Sequence, residues 1–498
     1  MIRNLNICTL VSLFFAIGNI YAQRSTKPNI IYIYADDLGY GEIEPYGQQK
    51  IKTPNLLKLA EKGMTFTQHY ASTPVCAPSR AMLMTGKHGG HAYIRGNYEL
   101  GGFPDSLEGG QMPLPEGTLT IPKMLKQIGY RTAMAGKWGL GMNNTSGSPL
   151  RQGFDYYISV LDQKQAHNFY PTHLWENDVR LTLNNPVMDV HKALNPATAT
   201  DADFDYYIGK EYATDLMAEK ALKFISENKE QPFFLYLPFT QPHVSLQAPQ
   251  EYIDMYKGVF DEKPYYGQQG YAATKYPYAT YAAMITYLDA QVGKIMNRIS
   301  ELGLDENTII MFSSDNGTTF NGGVNPKFFK SVGDLRGLKM DVFEGGIRVP
   351  FIASWPGNIS AGVKSDFASA QYDIMATIAA VTGQKLENTD GISLLPTLLG
   401  KTDEQQDHDF LYWEYPENGG QIAIRLGKWK AVKLDVRKKG YSKTPWMIFD
   451  LENDRKEEQD LAAQHPELIK KFDTVVDHQH QPAHIKEWEF INPKFTKQ

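Results

Sequence analysis

The sequence holds two cysteines, Cys8 and Cys76, and the second sits in PVCAPSRAMLMTG, shortly ahead of Arg80. Pro78 suits the first position of a helix running through Met84, and Gly86 suits its stop. Cys76 then faces a helix N-terminus with Arg80 one turn in, a setting that favours negative charge and supplies a planar donor fork for oxyanions. An unmodified thiol there is expected to be an acidic thiolate. Further groups of chemical interest each follow or close a short apolar run: Asp36-Asp37 after NIIYIYA, Lys137 in RTAMAGK, His243 after FFLYLPFTQP, and Asp315-Asn316 after NTIIMFSS. Three carboxylates and an amide oxygen make a hard-oxygen set suited to Ca2+ or Mg2+, where zinc would recruit more histidine or thiolate. Calcium is the expected ion. Each piece alone has a plainer explanation: an Asp-Asp turn or helix cap, an ordinary Ser-Asp-Asn-Gly turn, a solvated lysine, a hydrogen-bonded loop histidine. Their shared position at the ends of apolar runs sets them apart.

Those runs are rich in β-branched and aromatic residues. Nearly continuous apolar character suits strands buried on both faces, hence a parallel sheet covered by helices. Helical periods fall between the runs, at 54–63, 120–129, 211–228 and 279–303. The alternation predicts an α/β fold, a large mostly parallel sheet flanked by helices. In such sheets ligands bind beyond the carboxyl ends of the strands, where these groups fall. Segments 170–210 and 261–278 lack a clean period and are expected to be long surface insertions lining a cleft. Near residue 405 the texture changes to antiparallel strands around a Gly-Gly turn, closed by a helix in HPELIKKFDTVVDHQ. This predicts a smaller α+β subdomain over 405–498.

Hydrophobic residues make up 42% of the chain and charged residues 21%, a globular balance throughout. The formal net charge of -6 comes with no Lys/Arg run long enough to follow a phosphate backbone, which argues against a nucleic-acid partner. Residues 1–22 combine Arg3, an apolar stretch from Ile7 to Ile20 and small Ala22, and read as a signal peptide. The mature protein is then expected in the periplasm or outside a bacterial cell. The apolar stretch is short for a membrane span and nothing later matches it, so no span is expected. Cleavage after Ala22 removes Cys8 and leaves Cys76 as the only thiol, structural filler, an intermolecular link or a chemical group.

C-x-P-S-R followed by A-x-L-x-T-G resembles the signature of the type I sulfatases of the alkaline phosphatase superfamily. The likeness runs through YADDLGYG, TPNLLKLAEKGMTFTQHYA, MAGKWGLG, TYLDAQVGKI, FSSDNG and LRGLKMDVFEGGIRVPFIASWPG, over roughly residues 27 to 395, and IFDLENDRKEEQDLA is similar to the family's C-terminal subdomain. The resemblance implies an alkaline phosphatase-like catalytic domain over 23–404 that hydrolyses sulfuric esters. It implies that a maturation enzyme converts Cys76 to formylglycine, and that Asp36, Asp37, Asp315 and Asn316 hold one Ca2+ with the modified side chain. One hydroxyl of the hydrated aldehyde would attack sulfur, and loss of the second hydroxyl's proton would expel sulfate. By the same likeness Arg80 stabilises the hydrate, Lys137 and Lys339 bind sulfate, and His243 stands beside the leaving oxygen. Either His243 or Lys339 is then the general acid.

The likeness departs at Gly139, where many relatives carry a histidine that touches the hydrate. His167 in the nearby DQKQAHNFYP is a candidate to fill that space or to contact substrate. Arg95 in GGHAYIRGN is a further candidate for sugar binding. The expected substrate is a sulfated glycan or small sulfate ester, with O-sulfate on a terminal galactose or N-acetylgalactosamine as the specific expectation. Two rivals are a phosphatase or phosphodiesterase on the same scaffold and a non-catalytic glycan-binding relative. The first would place serine or threonine at the nucleophile and gather more histidine for zinc.

Overall fold

The computed structural model describes residues 27–97, 108 and 110–492. The expected leader with Cys8, and residues 493–498, lie outside the described residues. An 11-stranded sheet organises the chain, and its centre is parallel: Thr308–Ser314, Asn29–Ala35, Phe233–Pro238, Arg131–Lys137 and Tyr156–Val160 lie side by side in that order. These strands are apolar along their length because both faces are covered. In Asn29–Ala35, Ile31, Ile33 and Ala35 enter one core while Ile30, Tyr32 and Tyr34 enter the other. Helices Pro54–Glu61, Ala213–Glu227 and Pro277–Glu301 cover the first face, and Cys76–Thr85, Ile121–Lys126 and Asp373–Val381 the second.

The flanks of the sheet bring in antiparallel pairs, although the short strands Val363–Ser365 and Ser369–Ala370 add to Met64–Tyr70 in parallel. Arg348–Ser354 pairs antiparallel with both Thr308–Ser314 and Met64–Tyr70, and the opposite edge ends in a hairpin, His173–Glu176 with Val179–Thr182. That hairpin lies inside a segment expected to be loop. Its second strand is largely exposed, with Val179 67% accessible, so no buried face imposed a readable alternation.

The C-terminal unit is a four-stranded antiparallel sheet, Leu411–Tyr415, Gln421–Leu426, Trp429–Lys433 and Met447–Asp450. Helix Pro466–Gln479 covers one face through Leu468, Phe472 and Val476. The other face packs Trp413, Ala423 and Val432 with Val75, Val342 and Phe343 of the larger unit. Fully buried Lys430 bonds Glu344 and Glu457, each at 2.9 Å, across this seam. The smaller sheet thereby braces the backbone on both sides of the chemistry, before Cys76 and after Lys339. Among the described residues no helix is long and apolar enough to cross a membrane.

Candidate active site

Four central strands deliver their carboxyl ends to one place. Asp36 and Asp37 follow Asn29–Ala35, Lys137 ends its strand, Asp315 and Asn316 follow Thr308–Ser314, and His243 lies on the loop after Phe233–Pro238. Helix Cys76–Thr85 adds Cys76 and Arg80, and Lys339 comes from the loop before Arg348–Ser354. The helix starts at Cys76, two residues earlier than the proline suggests. Pro78 is tolerated there because first-turn N–H groups have no intrahelical partner to lose. Gly86 ends the helix in the left-handed conformation, at φ 64°.

The charges interlock. Asp36 receives Lys137 Nζ at 2.7 Å and Arg80 Nη2 at 3.3 Å. Arg80 also forks onto Asp315 Oδ2, from Nε at 3.2 Å and Nη2 at 2.9 Å. Asp37 receives Lys339 Nζ at 2.8 Å and Asn316 Nδ2 at 2.7 Å, and its backbone N–H donates to Asp315 Oδ1 at 3.0 Å. Cys76 Sγ lies 3.3 Å from Asp36 Oδ1 and 3.5 Å from Lys339 Nζ. Three carboxylates thus face three cationic groups around one sulfur atom. Burial opposes the charge on Asp36, yet Lys137, His243, Arg80 and Lys339 hold its carboxyl well below the usual range.

The expected thiolate is corrected. Burial, and then the Asp36 carboxylate, push the Cys76 thiol well above its ordinary value, outweighing Lys137 and Lys339. The helix N-terminus and Arg80 were legible in sequence, but Arg80 spends its charge on Asp315 and Asp36. Cys76 is therefore a neutral thiol in this setting, a poor nucleophile as it stands.

His243 Nδ1 meets the carbonyl of Val244, which can only accept, so Nδ1 carries the proton. Its Nε2 then accepts from Lys339 Nζ at 3.2 Å. Burial, and next Lys339, lower its pKa to about 4, so the ring is neutral near pH 7. His167 stacks on His243 with ring centres 5.0 Å apart, and its buried Nδ1 has no hydrogen-bond partner among the described residues. It lines the cavity but does not fill the space beside Gly139. Gln163 does: a Cβ on Gly139 would stand 2.9 Å from Gln163 Cγ, and Gly139 has φ +77°. Arg95 is corrected outright. It is only 3% exposed, and its guanidinium is taken by Glu414 and the carbonyls of Ala92 and Gly90, so it ties the two units together and does not reach the cavity.

The cavity over Cys76 measures about 200 Å³. Its walls include residues that sequence reasoning missed, Asn97, Gln163, Tyr271, Phe320 and Glu417. Only Tyr271 lay in a segment marked as cleft-lining. A larger concavity of about 1010 Å³, bordered by Tyr265, Lys327 and Leu338, gathers none of the strand-end groups.

The donor set fits a hard divalent cation. Asn316 Oδ1 is buried without a hydrogen-bond partner among the described residues, adjacent to Asp37 and Asp315, an orphan that a cation would satisfy. Ligand atoms of Asp36, Asp37, Cys76 and His243 also converge closely enough to share an ion. Since both nitrogens of His243 are engaged, the oxygens and Cys76 are the better ligand set.

The sulfatase family model matches residues 28–384, and the C-terminal model of N-sulphoglucosamine sulphohydrolase matches residues 338–481. The chain is 30% identical to the N-acetylgalactosamine-6-O-sulfatase of Bacteroides thetaiotaomicron, over 91% of this chain and 93% of that protein. It is 33% identical to human arylsulfatase A, over 81% of this chain and 74% of the relative. The solved structure of Ps i-CgsB superposes with a TM-score of 0.73 at 27% identity, covering 91% of this chain and 94% of that one. A phosphonate monoester hydrolase of Agrobacterium radiobacter, at 19% identity and TM-score 0.62, shares the fold alone. With the family model spanning most of the chain and the strand-end groups gathered around Cys76, the chain belongs to the sulfatase family and is a sulfuric ester hydrolase.

Proposed function

We propose that the protein removes O-sulfate from a sulfated carbohydrate, acting on terminal galactose or N-acetylgalactosamine units of host or algal glycans. The observation that carries the reading is the setting of Cys76: a thiol at the first turn of a helix, ringed by Arg80, Lys137 and Lys339 above a carboxylate set. The N-acetylgalactosamine-6-O-sulfatase of B. thetaiotaomicron supports the sugar, and Ps i-CgsB has been solved in complex with k-i-k-neocarrahexaose.

Asp36, Asp37, Asp315, Asn316 and the side chain at 76 would hold one Ca2+, which supplies Lewis-acid stabilisation of charge on the ester. Formylglycine at position 76 supplies a hydrated aldehyde as nucleophile, which the neutral thiol is not. A divalent cation held by the carboxylates would offset their charge, and the ammonium groups of Lys137 and Lys339, now paired with Asp36 and Asp37, would then be available to a sulfate. Arg80, forked onto Asp315, orients that carboxylate and keeps a positive charge beside position 76. Lys339 would carry the proton toward the leaving oxygen, because Nε2 of His243 bears no proton and accepts from the Lys339 ammonium. Export through residues 1–22 and modification of Cys76 by a formylglycine-generating enzyme complete the proposal.

The test is the mass of the peptide bearing Cys76, from protein exported by its native host, together with sulfate release from a panel of sulfated sugars. Aldehyde in place of thiol, and sulfate release abolished in Cys76→Ala, are expected. Full activity with an unmodified thiol would overturn the mechanism.

A further inference from the structure

The floor of the Cys76 cavity is cationic, but one wall carries the opposite charge and comes from the smaller sheet. Glu417 lies on the turn between Leu411–Tyr415 and Gln421–Leu426 and faces the cavity beside Asn97 and Gln163. Its carboxylate is fixed: Oε1 accepts the backbone N–H of Asn97 at 2.6 Å, and Oε2 accepts the Tyr415 hydroxyl at 3.2 Å. The turn is anchored to the segment carrying Lys339, since Asn418 Nδ2 and Gln421 Nε2 donate to the Met340 carbonyl at 3.1 and 2.9 Å. On the other side Asn97 Oδ1 accepts from the backbone of Ala77, next to Cys76, at 3.2 Å, and from Gln163 Nε2 at 3.3 Å.

A sulfate held by Lys137 and Lys339 places the sugar that bears it against this wall. There a rigid carboxylate has two effects. It accepts a hydrogen bond from a ring hydroxyl, and its fixed negative charge opposes a second anion brought close on the same ring. Phe320, 41% exposed at the same rim, offers an apolar face to the ring.

We propose that Glu417 is a specificity determinant: it binds a free hydroxyl of the sulfated sugar and rejects rings with a second sulfate or a carboxylate beside the scissile ester. This rests on the carbohydrate reading above. The test compares kcat/KM of the wild type and of Glu417→Gln on a monosulfated sugar, its vicinally disulfated counterpart and 4-nitrophenyl sulfate, with melting curves for both proteins. The wild type is expected to prefer the monosulfated sugar by at least about tenfold. Glu417→Gln is expected to lose roughly 10- to 100-fold on that sugar, mainly through KM, as for a lost bond to a charged group. Its loss on the aryl sulfate should be at least about tenfold smaller, and its preference against the disulfated ring should narrow. Equal losses on sugar and aryl sulfate, or wild-type indifference to the second sulfate, would overturn the role of Glu417 while leaving the carbohydrate reading intact. A wild type that turns over the aryl sulfate but no sugar would overturn both. The wild-type comparison stands even if the variant folds poorly.

Discussion

Placing a histidine at position 139, the residue that the sulfatase pattern leads one to expect there, should harm this protein. Gly139 has φ +77°, where an L side chain costs about 1–2 kcal/mol. The new Cβ would also stand 2.9 Å from Gln163 Cγ, and Gln163 is only 4% exposed, so it cannot swing freely into solvent. Pushing it off its rotamer costs about 0.5–1.5 kcal/mol. Losing its bond to Asn97 costs about 1 kcal/mol more. Gly139→His should therefore lose about 3 kcal/mol, a fall in Tm of about 3 °C for a cooperative protein of this size. Sulfate release should fall as well, since the displaced Gln163 enters a cavity of only about 200 Å³. Gly139→Ala separates the causes: it keeps the backbone strain and the Cβ contact but adds no imidazole, and should show most of the loss in Tm. Differential scanning calorimetry and a sulfate-release assay on both variants decide the matter. A Gly139→His protein that melts within about 1 °C of the wild type and turns over faster would refute the reasoning, because Gln163 would then not be filling the histidine's place.

Three other outcomes are expected. Lys430→Met leaves Glu344 and Glu457 facing each other without their shared cation and should cost about 3–5 kcal/mol, read as a lower Tm; an unchanged melting curve would show that the seam does not depend on this lysine. Chelation should lower Tm, and Ca2+ at about 100 times its Kd should return roughly 2.7 kcal/mol, a recovery that shrinks in Asn316→Ala if its orphan oxygen is a ligand. His480, bonded to Glu414 at 3.0 Å and 3.2 Å from Glu489, has its pKa raised to about 9 against burial. A raised folded-state value stabilises fully below about pH 6.5 and is lost as pH climbs through 9, so about 3 kcal/mol should disappear across that window. His480→Gln should flatten the slope of Tm against pH there.

The legible part of the fold is the part where burial leaves no choice. Arg131–Lys137 is predicted to the residue because its buried middle, Ala133 to Gly136, is apolar where both faces are covered, and charged Arg131 and Lys137 bracket it. The strand-end groups were found for the same reason: a parallel sheet delivers them together without help from side-chain contacts. The edge hairpin His173–Thr182 escaped, since an exposed strand can carry almost any polar sequence. Arg95 was misread because nothing near it in the chain shows that Glu414 takes its guanidinium. Glu417 escaped by the same distance, meeting Asn97 across 320 residues of sequence.

Those two misses share a cause. Both depend on how the smaller sheet seats against the larger, a packing event written in Trp413, Val432 and Lys430, none of which has a local signature of chemistry. Residues at the strand ends must supply the charges for breaking a sulfate ester, and their types betray them. The residues that choose which ester arrives need only complement a sugar, which amides, aromatic rings and one carboxylate do with ordinary surface chemistry. Reaction class is therefore readable from short segments, whereas Glu417, proposed above to choose the substrate, sits where the two sheets meet. Substitutions along that contact, such as at Gln421, whose amide bonds both Met340 and Val342, should shift selectivity among sulfated sugars before they affect turnover of a small aryl sulfate. A kinetic comparison on those two substrate types would expose the opposite order if the smaller sheet served stability alone.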